Sequence, residues 1–152
     1  MSKTARKVFT PESSTEIQER FINYIMLDGK KSIARRIMKD TFEIIKKKTS
    51  NDPEKVFISA IENVKPRLEV KAKRIGGAVY QIPMEVKPAR AVALTFRWII
   101  GAARGKKGSP ISQRLANELI DASNKQGAAM KKKEDTHRMA EANKAFAHFA
   151  RY

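Results

Sequence analysis

The stretch from Arg67 to Arg90 limits what this chain can fold into more than any other segment. Leu68, Val70 and Ala72 alternate with Glu69, Lys71 and Lys73. Past Gly76-Gly77, the residues Ala78, Tyr80, Ile82, Met84 and Val86 alternate with Val79, Gln81, Pro83 and Glu85. A period of two on both sides of a glycine pair predicts a β-hairpin, and glycine supplies the positive φ angles of a tight turn. A two-residue loop would pair Tyr80 with Lys73 and Ile82 with Lys71. A three-residue loop, Ile75 to Gly77, would set Tyr80 opposite Ala72 and Ile82 opposite Val70. The second register joins apolar to apolar and is the one the sequence favours.

No other segment reads as a strand. A lone two-stranded ribbon is marginal in water, and Pro83 cannot donate to a ladder, so its strand is an edge. Carrying Lys71, Lys73, Arg74 and Lys87, the ribbon makes sense as an arm that lies on something negative. The totals agree. Lys and Arg number 32 against 16 Asp and Glu, a formal charge of +16, which implies a polyanionic partner, nucleic acid first among them. With 152 residues and 41% hydrophobic content, one domain with a real core is expected. The chain has no cysteine, so no disulfide framework, thiol catalysis or thiolate metal site is expected. Met1 to Thr10 has no apolar core of the signal-peptide kind and no run approaches spanning length, so a soluble, intracellular protein is expected.

Helical periodicity accounts for nearly everything else. Met1 to Pro11, with Lys3, Arg6 and Lys7, reads as a basic tail, and residues 1–12 are set apart from a single domain over 13–152. Ser13 with Glu16 forms a candidate capping box before a helix whose apolar face is Ile17, Phe21, Tyr24, Ile25 and Leu27. A second helix is expected from Lys30 to Lys48, burying Ile33, Ala34, Ile37, Met38, Phe42 and Ile45, with Lys31, Arg35 and Lys39 as a basic stripe. Asp52-Pro53 starts a third, burying Val56, Phe57, Ala60, Ile61 and Val64 and ending at Pro66. After the ribbon, residues 67–87, Pro88 opens a fourth with Val92, Phe96, Ile99, Ile100 and Ala103 inward and Arg90, Arg97 and Arg104 on another face. Pro110, capped by Ser109, begins a fifth carrying Leu115, Leu119 and Ala122. A last helix is expected from Ala128 to Phe149. The fold class is therefore mainly α, a bundle of about six helices with one protruding two-stranded antiparallel β-ribbon between the third and fourth.

Catalytic and metal-binding constellations are missing from the sequence. Gly101 to Gly108 superficially resembles a phosphate loop, but its spacing is one residue short, no Ser or Thr follows Lys106, and a helix precedes it. It reads as a basic loop for a polynucleotide backbone. His137 and His148 lack metal-ligand spacing and read as solvated or RNA-facing. Tyr80 has two readings, stacking on an unpaired base or packing at the ribbon's base. Trp98 reads as helix packing. Between Lys65 and Lys107, eleven basic residues face only Glu69 and Glu85, an imbalance that marks an RNA or DNA footprint.

Four segments, in order and correctly spaced, resemble the bacterial type of small-subunit ribosomal protein seven, and the resemblance covers about Glu16 to Tyr152. They are Asp28-Gly29-Lys30-Lys31-Ser32-Ile33-Ala34, then Arg74 to Val86 through Gly76-Gly77-Ala78-Val79-Tyr80-Gln81-Ile82-Pro83, then Arg97-Trp98-Ile99, and Lys132 to His148 through Thr136-His137-Arg138-Met139-Ala140-Glu141-Ala142-Asn143. The amino end departs from that family's denser basic cluster, with only Lys3, Arg6 and Lys7 ahead of Pro11-Glu12-Ser13. The resemblance implies a structural, non-enzymatic, cytoplasmic protein without cofactor or metal, monomeric within the ribosome. It further implies binding to the 3′ major domain of 16S rRNA, nucleation of the subunit head, and a ribbon near exit-site tRNA and mRNA. Neighbouring ribosomal proteins nine, eleven, thirteen and nineteen are implied as partners, and no membrane.

On this reading the residues expected to meet ribosomal RNA are Lys7, Lys30, Lys31, Arg35, Arg36, Lys71, Lys73, Lys87, Arg90, Arg97, Arg104, Lys106, Lys107, Arg114, Lys131 and Lys132. Arg74, Gly76, Gly77 and Tyr80 are expected near tRNA and mRNA. The rival reading is a DNA-bending protein with a β-arm. Such arms wedge a proline or apolar residue between base steps, whereas this one is tipped by Gly76-Gly77.

Overall fold

The computed structural model describes residues 9–151. Among them, six α-helices and one two-stranded ribbon follow the expected order: α1 (Glu16–Ile25), α2 (Lys31–Thr49), α3 (Pro53–Val64), β1 (Leu68–Ile75), β2 (Ala78–Glu85), α4 (Pro88–Gly105), α5 (Ile111–Ser123) and α6 (Ala128–Ala142). A 3₁₀ helix, Lys144–Arg151, follows α6.

Local chemistry sets the boundaries, in places one or two residues from where the sequence puts them. The cap of α1 is Thr15, whose hydroxyl accepts from the Gln18 N–H while the Gln18 side chain accepts from the Thr15 N–H, both at 3.4 Å. This is the expected capping box moved two residues along, with a glutamine closing it. Asp52 caps α3 by accepting the Glu54 N–H at 3.2 Å, with Pro53 at N1. Pro110 is the residue before α5, not its first turn, and no side chain caps that helix.

The core is built around α5. Leu115, Ala116, Leu119 and Ala122 are fully or almost fully buried, and small residues let α2, α3 and α4 pack closely about them. At the other end of the core, Phe21 meets Phe57 and Phe96 edge-on, both at 5.1 Å between ring centroids. Trp98 packs half-buried against this core. Two expected core positions are instead on the surface. Leu27 lies past the end of α1 and Ile33 in the first turn of α2, and they are 61% and 45% exposed.

The ribbon register is a second correction. Tyr80 pairs with Lys73 and Ile82 with Lys71, joined by a two-residue loop. Gly76 and Gly77 have φ of +58° and +87°, the pair of positive angles that a type I′ turn requires. Turn geometry therefore outweighed cross-strand apolar matching. The reason is that this ribbon has a protein lid. In the observed register Lys71, Lys73, Tyr80, Ile82 and Met84 share one face, and the 3₁₀ helix covers it. Ile82 is buried there and Lys73 is half-buried beside it, while Lys71 on the same face stays exposed.

The 3₁₀ helix itself replaces the expected last two turns of α6. Asn143 ends α6 with its side-chain amide donating to the Met139 carbonyl at 2.8 Å. Three residues per turn then bring Phe146 and Phe149 onto one side. Both rings lie 5.2 Å from Tyr80.

Candidate nucleic-acid interface

The basic residues divide into those bound within the protein and those without a carboxylate partner. At the start of α2, Arg35 Nη2 and Lys31 Nζ lie 2.9 and 3.7 Å from Glu19 Oε2. Glu19 is buried, and an unpaired carboxylate there would be costly. The stripe read from the sequence is thus partly a structural device. Lys30 and Arg36, exposed beside it, have no ion pair among the described residues.

The α4–α5 junction repeats the pattern. Glu118 is fully buried; its Oε1 accepts the Ala129 N–H at 2.9 Å and its Oε2 accepts from Lys106 Nζ at 3.0 Å. A carboxylate thus sits at the positive N-terminal end of α6. Arg104 donates to the Ile25 carbonyl at 2.9 Å and so closes the C-terminal end of α1. Arg114 donates to the carbonyls of Arg104 and Lys106. Lys107, one residue on, is exposed and unpaired among the described residues.

On the ribbon and the helices beside it, Arg90 Nε is held by both oxygens of Glu69 at 2.9 and 3.0 Å. The Arg97 guanidinium lies 5.8 Å above the Tyr24 ring. Lys73 reaches the Phe149 carbonyl at 3.5 Å on the covered face. Arg74, one residue along, points to the opposite face with Val79, which is 65% exposed. Lys73 and Arg74 therefore do not act on the same side. Lys71, Arg74, Lys87, Lys131 and Lys132 are exposed, with no carboxylate partner among the described residues. Lys7 lies outside the described residues.

Tyr80 is packed, as in the second of its two readings, but against Phe146 and Phe149 of the 3₁₀ helix and toward the ribbon tip, not at the ribbon's base. His137 is half-buried and hydrogen-bonded within the fold, not free in solvent. Its Nε2 accepts the Arg67 N–H at 3.0 Å, and burial, then Lys133 and Arg67, hold its pKa below the ordinary 6.5. Among the described residues, no group of three His, Cys, Asp or Glu is placed to hold a metal ion. No helix of the described residues is long and apolar enough to cross a membrane.

Sequence reasoning missed the buried carboxylates and the two α6 side chains that grip the rest of the fold, His137 and Lys133. A signal existed for the carboxylates. Glu118 falls between Leu115, Leu119 and Ala122 on the apolar stripe of α5, and Glu19 lies three residues before Ile22 on the buried side of α1. An acid on a core-facing stripe demands a cation.

Comparison with known proteins places this basic scaffold. A match to the family described as ribosomal protein S7p/S5e spans residues 2–144. The chain belongs to that family. Among similar proteins, one from Treponema denticola is 56% identical over 148 residues, covering 96% of this chain and 95% of that protein. One from Moorella thermoacetica is 58% identical over 130 residues, 86% of this chain and 83% of its own. One from Thermotoga maritima is 57% identical over 130 residues, 86% of this chain and 84% of its own. All three are named small ribosomal subunit protein uS7. The family is one of structural, non-enzymatic ribosomal proteins, as the missing acid–base–nucleophile arrangement led us to expect.

Proposed function

We propose that the chain is a structural component of the small ribosomal subunit in the cytoplasm and binds ribosomal RNA directly, through the 3′ major domain of 16S rRNA. The family match over residues 2–144 carries this reading. The division of the basic residues supports it and narrows it. Lys30, Arg36, Lys71, Lys87, Lys107, Lys131 and Lys132 are the phosphate-binding set, because each is exposed with no carboxylate partner among the described residues. Lys31, Arg35, Arg90, Arg104, Lys106 and Arg114 hold the scaffold that keeps the first set in register. Residues 13–152 act as one RNA-binding domain, with 1–12 as a basic tail.

At the ribbon tip Arg74, Gly76 and Gly77 approach exit-site tRNA and mRNA, while Tyr80 supports them from the covered face. Head assembly follows from holding several RNA segments at once, with ribosomal proteins nine, eleven, thirteen and nineteen as neighbours. The DNA-bending rival lacks a wedge, since Pro83 pairs with Val70 toward the ribbon's root and the tip is glycine.

The test is a salt titration against a 16S rRNA fragment containing the 3′ major domain. With six to ten phosphate contacts, duplex-like rules predict a loss of roughly 10³–10⁵ in affinity between 50 and 200 mM salt. A flat titration, or a preference for generic duplex DNA in competition, overturns the proposal.

A further inference from the structure

His137 stands on α6 where that helix passes the root of the ribbon. Its Nε2 accepts the Arg67 N–H at 3.0 Å and, more weakly, the Leu68 N–H at 3.5 Å. The Arg67 carbonyl in turn accepts the Val86 N–H at 3.0 Å. One ring thus holds the point where both strands leave the helical body. One turn earlier on α6, Lys133 Nζ donates to the Asn63 carbonyl at 2.6 Å, fixing the end of α3 against the same helix. Among the described residues, no other side chain accepts from a backbone amide at the ribbon root.

We propose that His137 is a positioning residue for RNA recognition: as a neutral acceptor it sets the angle of the ribbon to the helical body, and protonation releases the ribbon. The functional half of this rests on the RNA-binding reading above; the clamp itself does not. A neutral ring whose Nε2 accepts carries its proton on Nδ1. Imidazolium has two donors and no acceptor, so both bonds fail together and the ring N–H is turned against the Arg67 and Leu68 amides.

The surroundings reinforce the neutral form. Burial and the positive charges of Lys133 and Arg67 act on the ring. Lys125, from the α5–α6 turn, adds to that positive cluster by acting on Lys133, and Glu134 opposes it there. The acids on adjoining elements are bound to cations of their own: Glu62 to Lys65, Glu69 to Arg90 on α4, Asp135 to Arg138 and Glu141 to Lys144. Glu85 on β2 lies opposite Leu68 and is exposed. With the folded-state pKa below 6.5, the clamp is complete above that value and is lost as pH falls from there through the lowered one.

Amide hydrogen exchange at Arg67 and Leu68, read by NMR on the full chain between pH 5 and 8 and corrected for intrinsic rates, tests the clamp. In the unaltered protein, protection at these two amides falls about tenfold below pH 6.5 while core amides of α5 keep theirs. His137→Ala loses the same protection at pH 7.5 and shows no pH dependence. His137→Gln, whose side-chain carbonyl accepts but does not titrate, restores part of it with a flat profile. Unchanged protection in His137→Ala, or a flat profile in the unaltered protein, overturns the clamp. Should His137→Ala fail to fold, the unaltered protein's own profile decides.

Filter binding of the same proteins to the 16S rRNA fragment at pH 7.5 tests the positioning role. His137→Ala weakens affinity about tenfold with the salt slope unchanged, because no phosphate contact is removed, and His137→Gln recovers most of it. Affinity unaffected by loss of the clamp, or a slope reduced by about one, which marks a phosphate contact instead, overturns it. No salt-dependent binding by the unaltered protein, with the exchange behaviour intact, sinks only the RNA reading.

Discussion

The α4–α5 junction and the β-ribbon are both basic in sequence but opposite in physical role. At the junction, Lys106 serves buried Glu118, Arg104 serves the end of α1, and Arg114 serves the Arg104 and Lys106 carbonyls where α4 ends. On the ribbon and its flanks, Lys71, Arg74 and Lys87 meet no carboxylate among the described residues. Counting cations therefore overstates a nucleic-acid footprint. What marks an anion-binding side chain is a positive charge that the fold leaves unneutralised.

The largest expected effect comes from breaking the junction. Glu118→Gln keeps the shape but strands Lys106 and weakens the cap on α6. Removing one member of a buried pair costs about 3–5 kcal/mol. Lys106 is 42% exposed and can turn to water, so about 2–3 kcal/mol is expected here. Urea denaturation reads it directly. A midpoint equal to that of the unaltered protein would show that the junction is not structural and would return Lys106 to the RNA-binding set.

Gly127→Ala attacks the same carboxylate from the other side. Gly127 has φ +93°, and an added Cβ would lie 3.0 Å from both Glu118 Oε1 and Asp121 Cβ. Strain plus the displaced carboxylate should cost about 1–3 kcal/mol, seen as a lowered melting temperature with RNA affinity unchanged well below the transition. Affinity falling in step with a salt slope reduced by about one would place the α5–α6 turn on the RNA instead.

Much of this was legible in the sequence, and the parts that were not share a cause. Helix order, the hairpin and the inward face of α3 follow from periodicity, which is local. The ribbon register was misjudged because the element that buries Tyr80 and Ile82 comes from Lys144–Arg151, more than sixty residues downstream. With no lid in view, matching apolar to apolar across the strands was the natural choice. The structural partners of Lys31, Arg35 and Lys106 were not legible for the same reason, since Glu19 and Glu118 reach them only through tertiary packing. A periodic pattern shows which face a residue is on, not which charge will stand opposite.

Single substitutions at the unpaired cations have smaller effects and sharpen the contrast. Lys71→Ala and Lys87→Ala should each reduce the salt slope of RNA binding by about one and leave the urea midpoint within about 0.5 kcal/mol. Lys106→Ala should do the reverse. If all three behave alike in both assays, the two regions do not differ and the division of cations proposed here is wrong.

Arg97 is the intermediate case and carries the smallest predicted effect. Its side chain is exposed with no carboxylate partner among the described residues, which puts it with the ribbon cations, yet it lies 5.8 Å over Tyr24. At an exposed site that contact is worth about 0.5–1 kcal/mol, close to what a phosphate contact contributes. Arg97→Lys separates the two, because a lysine keeps the charge but stacks less well over a ring. If Arg97 serves the fold, Arg97→Lys lowers stability by about 0.5 kcal/mol with the salt slope of RNA binding intact, and Tyr24→Leu abolishes the difference in a double-mutant cycle. If it serves RNA, Arg97→Lys is silent in denaturation and Arg97→Gln lowers the slope. The cycle thus assigns a cation that geometry alone leaves between the two regions.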